Sequence, residues 1–209
     1  MPIHFEIRKN NFLRSNTTGY YHCDYTRFGQ PNNPEYLNTL KNTFGNPISQ
    51  SLRESRDIVV DILINDILFI LNETDIEEFL CVCVPRAKKL TSYSASQLLF
   101  LDAIRTAADL LDDVIDGTDC IIRTVDTFTT HLTKATEEKR ISIPNEGKKP
   151  YPGITVATCQ IDRMSIEGER ILLIDDIYTP GVNIDEDCIQ ALYDNGVEEV
   201  IFYAIGHTV

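Results

Sequence analysis

The segment 171–183, ILLIDDIYTPGVN, limits the fold of this chain more than any other stretch. Four aliphatic residues precede two adjacent acids, Asp175 and Asp176, and a short Thr-Pro-Gly turn leads into a helical pattern over 184–194. Ligands of open α/β sheets bind at the carboxyl ends of the strands, where carboxylates meet hydroxyl groups and a helix N-terminus meets an anion. The segment therefore predicts an α/β fold and a site for a phosphorylated sugar.

Composition narrows the class of protein. A length of 209 residues suits one domain with an elaboration or two small domains. The hydrophobic content of 43% is enough to form a core. The net charge of −13 argues against a nucleic-acid-binding face. We expect a cytoplasmic protein that does not enter a membrane, because no apolar run of about 18 residues and no signal-peptide core occurs. The six cysteines would then stay reduced, and they lack the Cys-x-x-Cys spacing of structural zinc sites.

Strand and helix patterns alternate along most of the chain. Such alternation predicts a mostly parallel central sheet with flanking helices, built from right-handed crossovers. Residues 1–47 are rich in turn-forming residues and are interpreted as irregular, so we expect an irregular and helical elaboration, 1–55, before the main domain, 56–209. The predicted helices cover 48–72, 94–115 and 184–194, and the predicted strands cover 80–85, 120–123, 154–161, 170–174 and 200–205.

The segment 171–183 resembles the phosphoribosyl-diphosphate (PRPP) signature of type I phosphoribosyltransferases. That signature has four apolar residues, an acid, Asp, two apolar residues and then Thr-Thr-Gly-x-Thr. The resemblance implies the type I phosphoribosyltransferase fold and gives Asp175 and Asp176 the catalytic role of binding the ribose hydroxyls. It assigns the 5′-phosphate to a loop formed by Thr179, Pro180, Gly181, Val182 and Asn183.

Two residues of this loop depart from the signature. Pro180 stands where Ser, Thr or Ala is usual, and it removes one N–H from the predicted phosphate cradle. Asn183 replaces the closing Thr, although its side chain can still cap a helix and donate hydrogen bonds. We therefore expect a weakened or reshaped phosphate pocket.

A basic loop follows the first predicted strand of the main domain. In type I phosphoribosyltransferases the loop at this place binds pyrophosphate, often through its backbone. The resemblance therefore implies that pyrophosphate binds at Arg86, Ala87, Lys88 and Lys89. Positive side chains there would neutralise charge that develops on the leaving group. A solvated basic loop that precedes a helix is the alternative interpretation.

The stretch 123–127, RTVDT, followed by His131, is similar to the ComF-like branch of this family. The order of motifs agrees over roughly 78–209, while the amino-terminal zinc module of that branch is missing. The polar stretch 128–153 would then be a flexible loop that closes over PRPP, with Arg123, His131 and Lys134 as candidate contacts. His131 is also a candidate general base, although a lone His in a polar loop is more often incidental.

A second acidic motif, DDVID at 112–116, matches the aspartate-rich motif of isoprenyl diphosphate synthases. Those enzymes are all-helical and need a second aspartate cluster. We interpret the motif here as the solvated acidic end of a helix, and no protein-bound metal site is predicted.

The resemblance implies a phosphoribosyltransferase that uses PRPP and Mg²⁺, acts on a base or amine in nucleotide metabolism, and releases pyrophosphate. Mg²⁺ would be held largely by PRPP oxygens and water. Dimers are common among related enzymes, so a homodimer is a candidate assembly. The departures at Pro180 and Asn183 leave an alternative open, in which the chain binds PRPP or a nucleotide as a sensor or partner subunit without turnover.

Overall fold

The structure is a computed structural model that describes residues 1–26, 30–41, 47–127 and 153–209. Two short 3₁₀ turns, Leu90–Ser92 and Ala95–Leu98, precede the third helix. The helices are α1 (Glu35–Lys41), α2 (Gln50–Thr74), α3 (Leu99–Asp109), α4 (Arg163–Ile166) and α5 (Ile184–Asp194). The strands are β1 (Ile3–Ile7), β2 (Thr17–Tyr25), β3 (Phe79–Cys83), β4 (Val114–Asp116), β5 (Ile121–Arg123), β6 (Cys159–Ile161), β7 (Arg170–Tyr178) and β8 (Glu199–Thr208).

Six strands form the central sheet in the order β1-β2-β8-β7-β3-β4. The edge strand β1 is antiparallel to β2, and every other neighbouring pair is parallel. The predicted α/β fold, with a mostly parallel sheet and flanking helices, is confirmed. Among the residues described, no helix combines the length and apolar character needed to cross a membrane.

The centre of the sheet is apolar on both faces. Parallel strands covered by helices on both sides appear as continuous aliphatic runs, which explains the 171–174 run of β7. Helices α1, α2 and α3 cover one face, and α5 covers the opposite face. Fully buried residues of the first layer include Leu37, Leu63, Ile67 and Ile104, and those of the second include Ile189, Leu192 and Phe202.

Helix α2 largely matches the predicted helix over 48–72. Its N-cap is Ser49, whose hydroxyl accepts a hydrogen bond from the Leu52 amide at 3.2 Å. It ends at Thr74 because Asp75 adopts a left-handed conformation with φ of 55°. The buried residues Val59, Leu63, Ile67 and Ile70 follow helical spacing and place this stripe against the sheet.

The N-terminal residues are more regular than the sequence predicted. The interpretation of 1–47 as irregular was wrong for β1, β2 and α1. In β2, pairing with β1 and β8 overrides the turn-forming residues. Gly19 is one of them: a Cβ at this position would lie 2.6 Å from the Phe5 ring, so glycine lets that ring cover the strand. The predicted boundary after residue 55 falls inside α2, and β2 shares one sheet with β8.

Two other predicted elements differ from the structure. The stretch 94–115, predicted as one helix, contains a 3₁₀ turn, α3 and then β4, which pairs in parallel with β3. The acidic motif at 112–116 thus enters the sheet, and Asp116 accepts a hydrogen bond from the Thr118 amide at 2.8 Å. The strand predicted at 120–123 corresponds to β5, which pairs antiparallel with β6 in a separate two-stranded sheet.

A buried acid joins α2 to the sheet. Asp66 is only 2% exposed, and its Oδ2 atom lies 2.8 Å from Tyr203 Oη and 2.8 Å from His22 Nδ1. Burial of an unpaired carboxylate is costly, so these two partners make the position tolerable. Burial and the nearby Asp66 carboxylate raise the pKa of Tyr203, which keeps this hydroxyl protonated as a donor.

We predict that Asp66→Ala lowers the free energy of unfolding by about 2–4 kcal/mol, because it leaves the Tyr203 hydroxyl and the His22 ring without their partner. Chemical denaturation followed by circular dichroism measures this change. Asp61→Ala, at an exposed position of the same helix, is the matched control and should change stability by less than about 0.5 kcal/mol. Equal effects of the two substitutions would contradict the role given to Asp66.

Candidate functional site

Asp175 and Asp176 lie inside strand β7 and not beyond its end. The sequence predicted a strand over 170–174 with the acids after it, but β7 continues to Tyr178 because its last residues remain paired with β8. Consecutive strand residues point to opposite faces of a sheet. One carboxylate therefore faces the layer of α1 and the other faces the layer of α5.

Asp176 faces the α1 layer and pairs with Lys41, the last residue of that helix. The Lys41 Nζ atom lies 2.9 Å from Asp176 Oδ1. The two side chains are 29% and 30% exposed, so the pair stands at the boundary between the core and solvent. A cation at a helix C-terminus is also favoured by the helix dipole. The N-terminal segment thus supplies a charged group to the edge where the acids lie.

Asp175 faces the α5 layer and lies beside Asp185, in the first turn of that helix. Burial and the adjacent Asp176 carboxylate raise the pKa of Asp175 to about 7, although Lys41 opposes the shift. Burial and the Asp175 carboxylate likewise raise the pKa of Asp185, which is 4% exposed. Burial and mutual repulsion of the two carboxyl groups thus raise the pKa of both acids, which favours their protonated forms over the doubly charged pair.

The turn after β7 accommodates the unusual proline. The Val182 amide donates to the Thr179 carbonyl oxygen at 3.1 Å, and Gly181 has φ of +79°. These are features of a type II turn, in which proline is favoured at the second position and glycine at the third. Among the described residues, none would lie within 4 Å of a Cβ at Gly181, so this part of the chain leaves the space beside the turn open.

The N-terminus of α5 carries amides that the described residues leave without acceptors. Its N-cap, Asn183, is left-handed with φ of 65° and makes no side-chain cap. The Asn183 side chain donates to the Gly181 carbonyl oxygen and accepts from Asn10 Nδ2 at 3.0 Å. No acceptor within the described chain is recorded for the amides of Gly181, Asn183 and 184–186. Such a group of amides suits an anion.

Three acids occupy the first turn of α5, where they would oppose an anion. Their carboxyl groups interact with other elements: Asp185 lies against Asp175, Glu186 accepts from the Tyr178 hydroxyl at 3.0 Å, and Asp187 accepts from the Ile154 amide at 2.8 Å. None of the three caps the amides of its own helix. The negative charge is therefore directed away from the amide group, although it stays within one helical turn.

The basic loop at 84–89 begins beside the acids. Strands β3 and β7 are neighbours, and the Val84 amide donates to the Ile174 carbonyl oxygen at 2.9 Å, one residue before Asp175. The Arg86 guanidinium lies 4.2 Å from the centre of the Tyr93 ring and donates to the Gln97 carbonyl oxygen. The exposed side chain of Arg86 is thus held against the 3₁₀ segment that follows its loop.

Arg123 holds the basic loop in place through hydrogen bonds to its backbone. It is 6% exposed, and its guanidinium donates to the carbonyl oxygens of Arg86 at 3.1 Å and Gly153 at 2.7 Å. Thr127 donates to the Ala87 carbonyl oxygen through both its amide and its hydroxyl. These bonds satisfy the carbonyl oxygens of Arg86 and Ala87. Within the described ranges, the amides of Arg86 and Ala87 have no recorded acceptor.

The structure brings together most of the residues predicted for the site. The acids, the 179–183 turn and the 84–89 loop meet at the carboxyl edge of β3 and β7, while Arg123 is buried under that loop. The predicted flexible-loop residues His131 and Lys134 lie outside the described residues. Sequence reasoning missed Lys41, Asp185 and Asn10, which approach the site from distant elements or from the opposite layer.

Comparison with known proteins adds no family. No family model matches this sequence, and no curated protein matches it at a significant level. Within the described residues, no group of three or more His, Cys, Asp or Glu side chains is arranged to hold a metal ion.

We predict that Asp175→Asn stabilises the protein in a pH-dependent way. The carboxyl pKa is raised from 3.8 to about 7, so between these values the folded state keeps a proton that the unfolded chain has released. The contribution of the Asp175 carboxyl to the stability of the wild-type protein therefore falls as pH rises through that window. The free energy of unfolding of the variant should equal that of the wild type near pH 4 and exceed it by about 1–3 kcal/mol at pH 8.

Denaturant titrations at pH 4, 6 and 8 measure this difference. Asp61→Asn, at an exposed acid, is the control and should show a difference that does not grow with pH. A stability difference for Asp175→Asn that stays constant from pH 4 to 8 would mean that the carboxyl is not held protonated by its surroundings.

Proposed function

We propose that this protein has the type I phosphoribosyltransferase fold, binds PRPP together with Mg²⁺, and transfers the phosphoribosyl group to a base or amine. One observation carries the proposal. The adjacent acids of β7 lie between two segments with free amides, the 84–89 loop after β3 and the 179–183 turn before α5. Carboxylates flanked by two anion-binding segments match a ribose with a phosphate group at each end.

The acids would bind the sugar and the turn would bind its 5′-phosphate. Asp175 and Asp176 accept hydrogen bonds from ribose hydroxyls, and they would stabilise positive charge that develops on the ring. The amides of Gly181, Asn183 and the first turn of α5 would donate to the phosphate oxygens. The open space beside Gly181 supports this position for the phosphate.

The 84–89 loop would bind the pyrophosphate group. The unpaired amides of Arg86 and Ala87 would donate to its oxygens, and the charges of Lys88 and Lys89 would neutralise it. In the reaction the bond between the anomeric carbon and the pyrophosphate oxygen breaks. Its electron pair leaves with pyrophosphate, and the nucleophile supplies the pair of the new bond. The nucleophile then gives up its proton to solvent or base.

Magnesium fits the oxygen-rich character of this edge. Mg²⁺ prefers carboxylate and phosphate oxygens and keeps several water ligands, so it needs few ligands from the protein. Asp175 or Asp176 together with phosphate oxygens would form such a donor set. When bound, the ion would supply charge neutralisation for the leaving pyrophosphate.

A second candidate function is a PRPP- or nucleotide-binding module without turnover. The state of the acids favours it: Asp176 is already paired with Lys41, and burial together with Asp176 raises the pKa of Asp175 to about 7. A protonated or paired carboxyl stabilises developing positive charge less than a free carboxylate does. The two candidates differ in turnover and agree on the ligand.

Calorimetric titration with PRPP and Mg²⁺, followed by a pyrophosphate-release assay with a panel of bases and amines, tests the proposal. Binding with release identifies the transferase. Binding without release across the panel supports the binding module. Failure of PRPP to bind at millimolar concentration would reject both candidates.

We predict that the double substitution Asp175→Asn with Asp176→Asn abolishes measurable PRPP binding while leaving the fold intact. The amides of Asn can accept hydrogen bonds from ribose hydroxyls only weakly, because the charge is lost. Calorimetry measures the binding, and circular dichroism checks the fold. The control Asp61→Asn should bind like the wild type, and unchanged affinity of the double variant would refute the assigned site.

We predict that Arg123→Met weakens PRPP binding by about tenfold or more, with little effect on ribose 5-phosphate. Arg123 positions the 84–89 loop through the Arg86 carbonyl oxygen, and the loss of a charge-assisted hydrogen bond costs about 1.5–3 kcal/mol. Parallel titrations with PRPP and ribose 5-phosphate separate the two effects. If the affinity for both ligands falls equally, the substitution has disturbed the whole site and not the pyrophosphate loop alone.

A further inference from the structure

Lys41 contacts the candidate site from the segment that the sequence left without a role. Its Nζ atom lies 2.9 Å from Asp176 Oδ1, and no other hydrogen bond of the Asp176 carboxylate is recorded within the described residues. An ammonium group has three N–H donors, and this contact uses one. Asp176 therefore keeps an oxygen for a hydroxyl group, and Lys41 keeps donors for a second ligand group.

The Lys41–Asp176 pair is accessible. The side chains are 29% and 30% exposed, which is too much for a sealed structural ion pair and enough for a ligand to reach both groups. Helix α1 is held over the sheet by Leu37 and Leu40, which are buried in the core. The position of the ammonium is thus set by packing on the sheet and does not depend on its ion pair alone.

The acids around the Lys41–Asp176 pair make a positive group necessary for an anionic ligand to bind. Asp175, Asp176 and Asp185 lie close together, so a ligand with several negative charges would be repelled without a positive group nearby. Burial favours the neutral amine of Lys41, but the carboxylates of Asp176 and Asp175 outweigh it and hold the pKa of Lys41 above its ordinary value. Lys41 therefore keeps its positive charge at the carboxyl edge of the sheet.

We propose that Lys41 is a ligand-binding residue of this site, and that its ammonium donates to a phosphate oxygen of a phosphorylated ribose whose hydroxyl donates to the free oxygen of Asp176. This inference rests on the proposed function, because it concerns the same ligand. It adds a contact from the N-terminal segment, so that residues 1–55 complete the site. The phosphate oxygen belongs either to the pyrophosphate end or to the 5′-phosphate end of the ligand.

The test uses the full chain with Lys41→Met, Lys41→Gln and Lys41→Arg, and with Lys9→Met as an exposed control. Each variant is titrated calorimetrically with PRPP, pyrophosphate and inorganic phosphate in the presence of Mg²⁺. We expect the neutral variants to bind PRPP about tenfold more weakly or worse, because a charged hydrogen bond is lost. Lys41→Arg should stay within about threefold of the wild type, and Lys9→Met should be unchanged.

The two anions without ribose separate a direct contact from an indirect one. Weaker binding of pyrophosphate by the neutral variants assigns Lys41 to the pyrophosphate end, and weaker binding of inorganic phosphate alone assigns it to the 5′-phosphate end. If the neutral variants lose PRPP affinity but bind both anions like the wild type, Lys41 acts only by orienting Asp176 and the inference is wrong.

Two further outcomes are decisive. If the neutral variants bind PRPP as well as or more tightly than the wild type, Lys41 competes with the ligand, which overturns the inference and leaves the proposed function standing. If the wild type binds no PRPP, the proposed function fails and this inference fails with it. Circular dichroism melts confirm that each variant is folded, and Lys41→Gln replaces Lys41→Met if the latter does not fold.

Discussion

The parallel pairing of β7 with β3 on one side and β8 on the other is the constraint on which the rest of the structure depends. Parallel strands have their carboxyl ends at the same edge of a sheet. The loop after β3 and the turn after β7 therefore meet, although about 90 residues separate them in the chain. Any change that shifted β7 by one residue would exchange the faces of Asp175 and Asp176 and disconnect them from α5 and α1.

Buried and closely spaced acids carry the main electrostatic cost in this molecule, whose net charge is −13. The structure offsets this cost in three ways. Asp66 accepts hydrogen bonds from a tyrosine and a histidine ring, Asp176 pairs with a lysine, and burial raises the pKa of Asp175 and of Asp185 toward the neutral form. The first arrangement lies in the core and holds α2 on the sheet. The other two lie at the carboxyl edge of the sheet.

Much of the fold was predictable because its signals are local. The aliphatic run of β7, the stripe of α2 and the turn before α5 each follow from residue spacing over a few positions. The N-terminal strands were missed for two reasons. In β1, Ile3, Phe5 and Ile7 alternate with polar residues, which is a local strand signal that sequence reasoning overlooked. Strand β2 is largely polar and contains glycine, and it becomes a strand because β8 offers hydrogen-bonding partners to it. The long helix predicted over 94–115 failed for a similar reason, since β4 is stabilised by pairing with β3.

The sequence by itself determined the chemical groups of the candidate site: two adjacent acids, a basic loop and a glycine-bearing turn before a helix. These are local features, because each depends only on residues close together in the chain. The tertiary structure alone decided that the two acids point to opposite faces, that Arg123 is buried under the basic loop, and that Lys41 reaches Asp176. Such contacts join segments up to 135 residues apart, so they depend on strand register and layer packing, which no short sequence pattern specifies.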